Sequence, residues 1–196
     1  MRIIRASACR TMPWKNGGGT TTEIAAHPPG ASLDGFDWRI SMAHVGVDGP
    51  FSVFPGIDRT LSVLTGRGIV LAFGDGESIL LEPSAEPYPF AADRPVEGRL
   101  VDGPIDDLNV MTRRGRWLHK VTRLSGTELP IQFEMTGTVV VLVARSDGWM
   151  IARQERRETL ATGDSALLES VEGVVLTNAR EGGEIFVIEL SAAPHA

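Results

Sequence analysis

Cysteine is almost missing from this chain. Cys9 is the single thiol in 196 residues, so no intrachain disulfide can form and no thiolate cluster can hold a metal. Lysine is nearly as scarce: Lys15 and Lys120 are the two lysines among 19 basic residues, and no basic run exceeds two residues. With a formal charge of -6, a phosphate backbone is a poor partner, and nucleic acid is excluded as the expected ligand. No stretch of about 18 apolar residues occurs, so a membrane-spanning helix is not expected. The first ten residues lack the apolar core of a secretory signal, and a cytoplasmic location is expected.

Several chemistries lack their residues. His27, His44, His119 and His195 stand far apart, with no His-x-His pair and no carboxylate at ligand spacing, so no metal and no cofactor are expected. His44 reads as a packed or edge histidine. Gly-x-Ser-x-Gly is absent, and Cys9 reads as a small apolar filler rather than a nucleophile. In Lys15-Asn16-Gly17-Gly18-Gly19 the lysine precedes the glycines and threonines follow, the reverse of a phosphate loop. It reads as a loop entering a strand.

Glycine and proline are abundant, 22 and 12 residues, which favours short strands joined by turns over a helical bundle. The apolar pattern has period two or short solid runs, as strands do. Phe36, Trp38, Ile40 and Met42 fall on one side of a strand, with Arg39 and Ser41 on the other. Leu61–Leu64 and Ile69–Phe73, joined through Thr65-Gly66-Arg67-Gly68, read as a tight hairpin. Residues 138–144 and 149–152 read as a second hairpin around Ser146-Asp147-Gly148. Residues 174–177 and 184–190 read as further strands, and residues 153–160 as the one plausible helix. The two halves repeat this order, so the chain reads as all-β: two similar β units, as sandwiches or barrels, fused in one polypeptide.

Arginine placement carries the functional reading. Arg39 leaves the non-apolar side of its strand, Arg59 closes Phe54-Pro55-Gly56-Ile57-Asp58-Arg59, and Asn109, Met111 and Arg113 share one side of residues 107–113. Guanidinium forks and an amide inside a barrel suit a planar anionic small molecule. Asp58 is expected to orient Arg59, and Asp106 to end a turn. In a competing enzymatic reading, Glu23 is a general base and an arginine holds developing negative charge. The aromatic stripe could alternatively be an interaction surface, although core packing accounts for it. A homodimer through sheet edges stays open.

Four stretches resemble one family. They are Pro13-Trp14-Lys15-Asn16-Gly17-Gly18-Gly19-Thr20 with Glu23-Ile24; residues 36–41, FDWRIS; residues 48–59, DGPFSVFPGIDR; and residues 106–114, DDLNVMTRR. In this order they resemble the HutD/Ves family along essentially the whole chain, with little of the pattern after about Thr122. The resemblance implies a bicupin, two cupin-like β-barrels or jelly rolls of RmlC-like type. Residues 1–122 would form the first barrel and 123–196 the second, packed as one globular unit. It also implies a metal-independent ligand-binding protein, a regulator of histidine utilisation rather than an established enzyme. Its partner would be a small anionic metabolite such as urocanate, N-formylglutamate or formate. The Ves branch implies a stress-response role instead. Trp14, Asn16, Arg39, Phe54, Arg59, Asn109 and Arg113 are the motif positions that would line the pocket, joined by Glu23, Ser41 and Met111 from their strand faces.

Overall fold

The computed structural model describes residues 1–125, 131–132, 139–178 and 182–194. Among them the helical content is one 3-10 turn, Ala6–Ala8. None of their helices is long and apolar enough to cross a membrane. The Val-, Ile- and Thr-rich runs form strands, as β-branched side chains favour.

Two compact units result, one built of Arg10–Leu118 and the other of Met1–Cys9 with His119–Ala193. Strand β1 (Arg2–Ile4) opens the chain. The first unit runs β2 (Arg10–Pro13), β3 (Gly19–His27), β4 (Trp38–Val45), β5 (Gly49–Pro50), β6 (Ile57–Thr65), β7 (Ile69–Phe73), β8 (Ser78–Leu81), β9 (Tyr88–Ala91), β10 (Val96–Leu100) and β11 (Ile105–Arg113). There follow β12 (Trp117–Ser125), β13 (Ile131–Gln132), β14 (Val139–Ala144), β15 (Trp149–Arg153), β16 (Arg156–Leu160), β17 (Ser165–Leu168), β18 (Val174–Asn178) and β19 (Glu184–Ala192).

The first unit stacks a six-stranded sheet, β2-β3-β4-β11-β6-β9, on a four-stranded one, β5-β10-β7-β8. Between them lie Val45, Leu61, Val63 and Ile105 from one sheet and Ile69, Leu71, Phe73 and Val96 from the other. In the second unit the sheets are β1-β17-β14-β19-β12 and β13-β18-β15-β16, around Leu142, Trp149, Ile151, Leu176 and Ile185. The order β9-β6-β11-β4 reappears as β17-β14-β19-β12, and β8-β7-β10-β5 as β16-β15-β18-β13. The duplication read from the sequence is therefore present as topology. The fold is all-β and cupin-like, with each sheet pair arranged as a jelly roll and not closed into a continuous barrel. The first nine residues belong with the second unit, where β1 pairs with β17.

Three local readings need correction. The two expected hairpins are crossovers: β6 takes β11 and β9 as neighbours while β7 takes β10 and β8, and β14 and β15 likewise separate. The apolar sides of both strands enter one core, which they do by facing each other from opposite sheets. Gly66 and Gly68, at φ 91° and 112°, let the chain turn over between them. Residues 153–160 are no helix. β15 and β16 form a true hairpin in which Arg153 opposes Arg156, with Gln154 at φ 54° in its two-residue turn. Phe36 precedes β4 and packs with Ile57, Ala92 and Met111, away from the Trp38 side.

Candidate functional site

Strands β4, β11 and β6 are adjacent and antiparallel, and their register sets the site. Arg39 lies opposite Met111, which lies opposite Arg59; the next row is Ser41, Asn109 and Leu61, and the next Ala43, Asp107 and Val63. Cross-strand partners share a face. Arg39, Ser41, Arg59, Asp107, Asn109 and Met111 therefore project from the same face as the core residues Leu61 and Val63. Glu23, opposite Ser41 on β3, joins them. A polar belt thus separates the Val45–Leu61–Val63–Ile105 core from a smaller apolar cluster of Phe36, Ile57, Ala92 and Met111.

Within the belt, Arg39 Nε donates to Glu23 Oε2 at 2.8 Å. Arg59 Nε donates to Asn109 Oδ1 at 2.7 Å, and Nη2 donates to the same oxygen. Asn109 Nδ2 in turn donates to Asp107 Oδ1. The guanidinium of Arg59 lies 4.7 Å from the Phe51 ring centroid and 5.8 Å from that of Phe90. Arg59 is 8% exposed and, among the described residues, has no ion-pair partner. Burial lowers it to about 10, opposed by Asp107 and reinforced by Arg39, so it remains a cation at neutral pH. Asp107 is 1% exposed, and its Oδ2 has no hydrogen-bond partner. Burial raises its carboxyl to about 7; Arg59 and the Asn109 hydrogen bond oppose this rise and Asp106 adds to it.

A buried cation stacked on aromatic rings and neutralised by nothing nearer than an amide relay attracts an anion strongly, since water no longer screens it. Among its described residues the second unit offers no such belt. Its matching strands β14 and β19 point Val140, Leu142, Ala144, Ile185 and Val187 into the core.

The structure brings together Glu23, Arg39, Ser41, Arg59, Asn109 and Met111 and separates the other expected residues. Phe54 packs on the Phe36 cluster, 6.3 Å from the Phe36 ring. Arg113 is a strut: its Nε and Nη2 donate to the Phe36 carbonyl at 3.1 and 2.9 Å, and Nη2 to that of Asp34 at 3.0 Å. Trp14 packs on the other core, its Nε1 donating to Thr21 Oγ1 at 2.8 Å. Gly19 allows this close packing, because a Cβ there would meet the Trp14 ring at 3.0 Å. Asn16 is exposed and shapes its loop by accepting from the Gly18 amide at 3.0 Å.

The aspartates also differ from expectation. Asp58 pairs with Arg114 at 2.8 Å rather than orienting Arg59. Asp106 lies within β11, on the outer face, hydrogen-bonded to His44 Nδ1 at 2.9 Å and to the Thr65 hydroxyl at 2.8 Å. Asp107 is the functional candidate missed from sequence. The signal for it was the two-residue spacing Asp107, Asn109, Met111. The described residues contain no group of three or more His, Cys, Asp or Glu placed to hold a metal ion. Burial raises the Cys9 thiol, with Asp164 adding to it.

A conserved protein of unknown function from Pseudomonas aeruginosa PAO1 superposes with a TM-score of 0.88 at 36% identity, covering 97% of this chain and 98% of that one. HutD from Pseudomonas fluorescens SBW25, solved in a "formate condition", gives 0.83 at 32% identity, covering 98% and 99%. An uncharacterized 21.2 kDa protein in the hutC 3' region of Pseudomonas putida is 34% identical over 146 residues, 74% of this chain and 75% of that protein. A cupin 2 conserved barrel domain protein from Leptotrichia buccalis, at TM-score 0.59 and 12% identity over 92% of both chains, shares the fold alone. The HutD family model matches residues 6–187, and with whole-chain similarity to a HutD structure this places the chain in the HutD family.

Proposed function

We propose that the first unit binds a small carboxylate without a metal, and that the protein acts in the cytoplasm as a ligand-sensing regulator of histidine utilisation. The observation that carries this reading is Arg59, a buried guanidinium with no carboxylate partner, held by Asn109 on the inward face of β6. A ligand carboxylate would lie against Arg59, with Arg39 beside it and the aromatic rings of Phe51 and Phe90 bounding the cation. Two charge-assisted hydrogen bonds contribute roughly 3–6 kcal/mol, which corresponds to dissociation constants from several millimolar to tens of micromolar.

The test is titration calorimetry of the protein with urocanate, N-formylglutamate and formate in a buffer containing EDTA. Saturable binding of at least one, persisting in the chelator, is expected. Replacing Arg59 with lysine should weaken it at least about tenfold, because an ammonium cannot present two parallel N–H donors. Absence of binding by all three up to tens of millimolar, above the weakest of these dissociation constants, refutes the proposal.

A further inference from the structure

Asp107 is the least exposed ionisable side chain described in the first unit. Its Oδ1 accepts from Asn109 while Oδ2 is left without a partner. Its flanking positions on the neighbouring strands are Ala43 on β4 and Val63 on β6, neither able to donate from a side chain. The charged groups around it are few. Arg59 reaches it from β6 through Asn109; Arg39 on β4 and Glu23 on β3 pair with each other; Asp106 on its own strand faces the opposite side with His44 and Thr65. The facing sheet contributes apolar Ile69, Leu71 and Val96 to the core.

We propose that Asp107 carries the proton that accompanies the ligand: it is protonated when a carboxylate lies on Arg59 and ionised when the carboxylate leaves, so that binding takes up one proton. This rests on the anion-site reading above. The charge balance argues for it. With Asp107 ionised, two guanidiniums already face two carboxylates, and a third carboxylate would leave a net negative charge out of water. With Asp107 neutral, the occupied belt sums to zero and Oδ2, as O–H, becomes a donor. The proton comes from solvent, and no bond in the ligand breaks. Burial sets the exchange near neutrality, where a small change in surroundings moves the proton on or off. The coupling is reciprocal, so affinity must fall as pH rises, approaching tenfold per pH unit above the midpoint of the free protein.

The experiment is calorimetry with formate as the probe, in two buffers of different ionisation enthalpy, at about pH 6 and about pH 8. The expected result at the higher pH is uptake approaching one proton per formate and a dissociation constant weakened by up to about tenfold relative to the lower pH. Asp107→Asn should flatten the pH dependence and remove the uptake. His44→Gln, outside the belt, should leave both as in the wild type and so exclude an imidazole as the source. Formate binding with no proton uptake and equal affinity at both pH values overturns the Asp107 proposal while leaving the anion site standing. If formate does not bind at either pH, the same titrations are run with urocanate and N-formylglutamate, and failure of all three overturns the anion site and this proposal with it. If the asparagine variant does not fold, the uptake measured on the wild type decides alone.

Discussion

Replacing Asp107 with asparagine should remove a pH dependence of stability opposite in sign to that of an ordinary ion-paired carboxylate. Folding raises this carboxyl from 3.8 to about 7 because burial disfavours its charge. Between those values the native protein keeps a proton that the unfolded chain has released. Raising the pH therefore favours unfolding. The stability tied to this group is fully present below about pH 4, declines through about pH 7, and is flat above. Each pH unit is worth about 1.4 kcal/mol, so the whole interval amounts to roughly 4 kcal/mol. Asparagine keeps the shape and cannot titrate, so the difference between wild type and variant isolates this one group. Urea unfolding followed by tryptophan fluorescence at about pH 5 and about pH 8 reads it. The variant should gain roughly 3 kcal/mol relative to wild type on going from the lower to the higher pH. A difference constant to within about 0.5 kcal/mol would show that Asp107 is not buried in the charge-averse setting described, and the reasoning would fail.

Arg113→Ala should lower stability by about 2 kcal/mol in urea while shifting formate affinity less than about threefold, since its bonds go to the carbonyls of Phe36 and Asp34. A larger affinity loss would move Arg113 into the binding site. Trp149→Ala removes a fully buried ring whose Nε1 donates to the Glu184 carbonyl at 3.0 Å, and should cost about 3–5 kcal/mol. Formate titration of that variant, kept below its unfolding transition, should match wild type, because the proposed anion belt belongs to the other unit.

The inward row of the site was legible because strand alternation is a local property. Once residues 38–45 and 105–113 are strands, Arg39 with Ser41 and Asn109 with Met111 must share sides. Partner choice was not legible in the same way. Whether β7 pairs with β6 or crosses to the facing sheet depends on residues far along the chain, and a Gly-Arg-Gly turn serves either outcome. The stretch 153–160 misled through its many arginines and glutamates, which tolerate a helix; its pairing with β15 overrode that tolerance. The family-like words mixed two kinds of residue. Trp14 and Asn16 build the fold, one packing on a core and one bracing a loop, whereas Arg59 and Asn109 face the belt. Asp107 was not distinguishable from Asp106 in sequence, because two adjacent aspartates suit a turn or an arginine partner alike, although only one of the pair points inward.

The placement of β1 has a consequence for synthesis. Arg2 pairs with Leu167, and Arg5 grips Asp164 at 2.7 Å, while residues 10–118 form a separate unit between these two segments. A nascent chain leaving the ribosome can thus complete the unit of residues 10–118 before residues 1–9 have anywhere to dock. Those residues must wait until the strand around Leu167 has been made, so deleting them should damage the unit that contains it and spare residues 10–118.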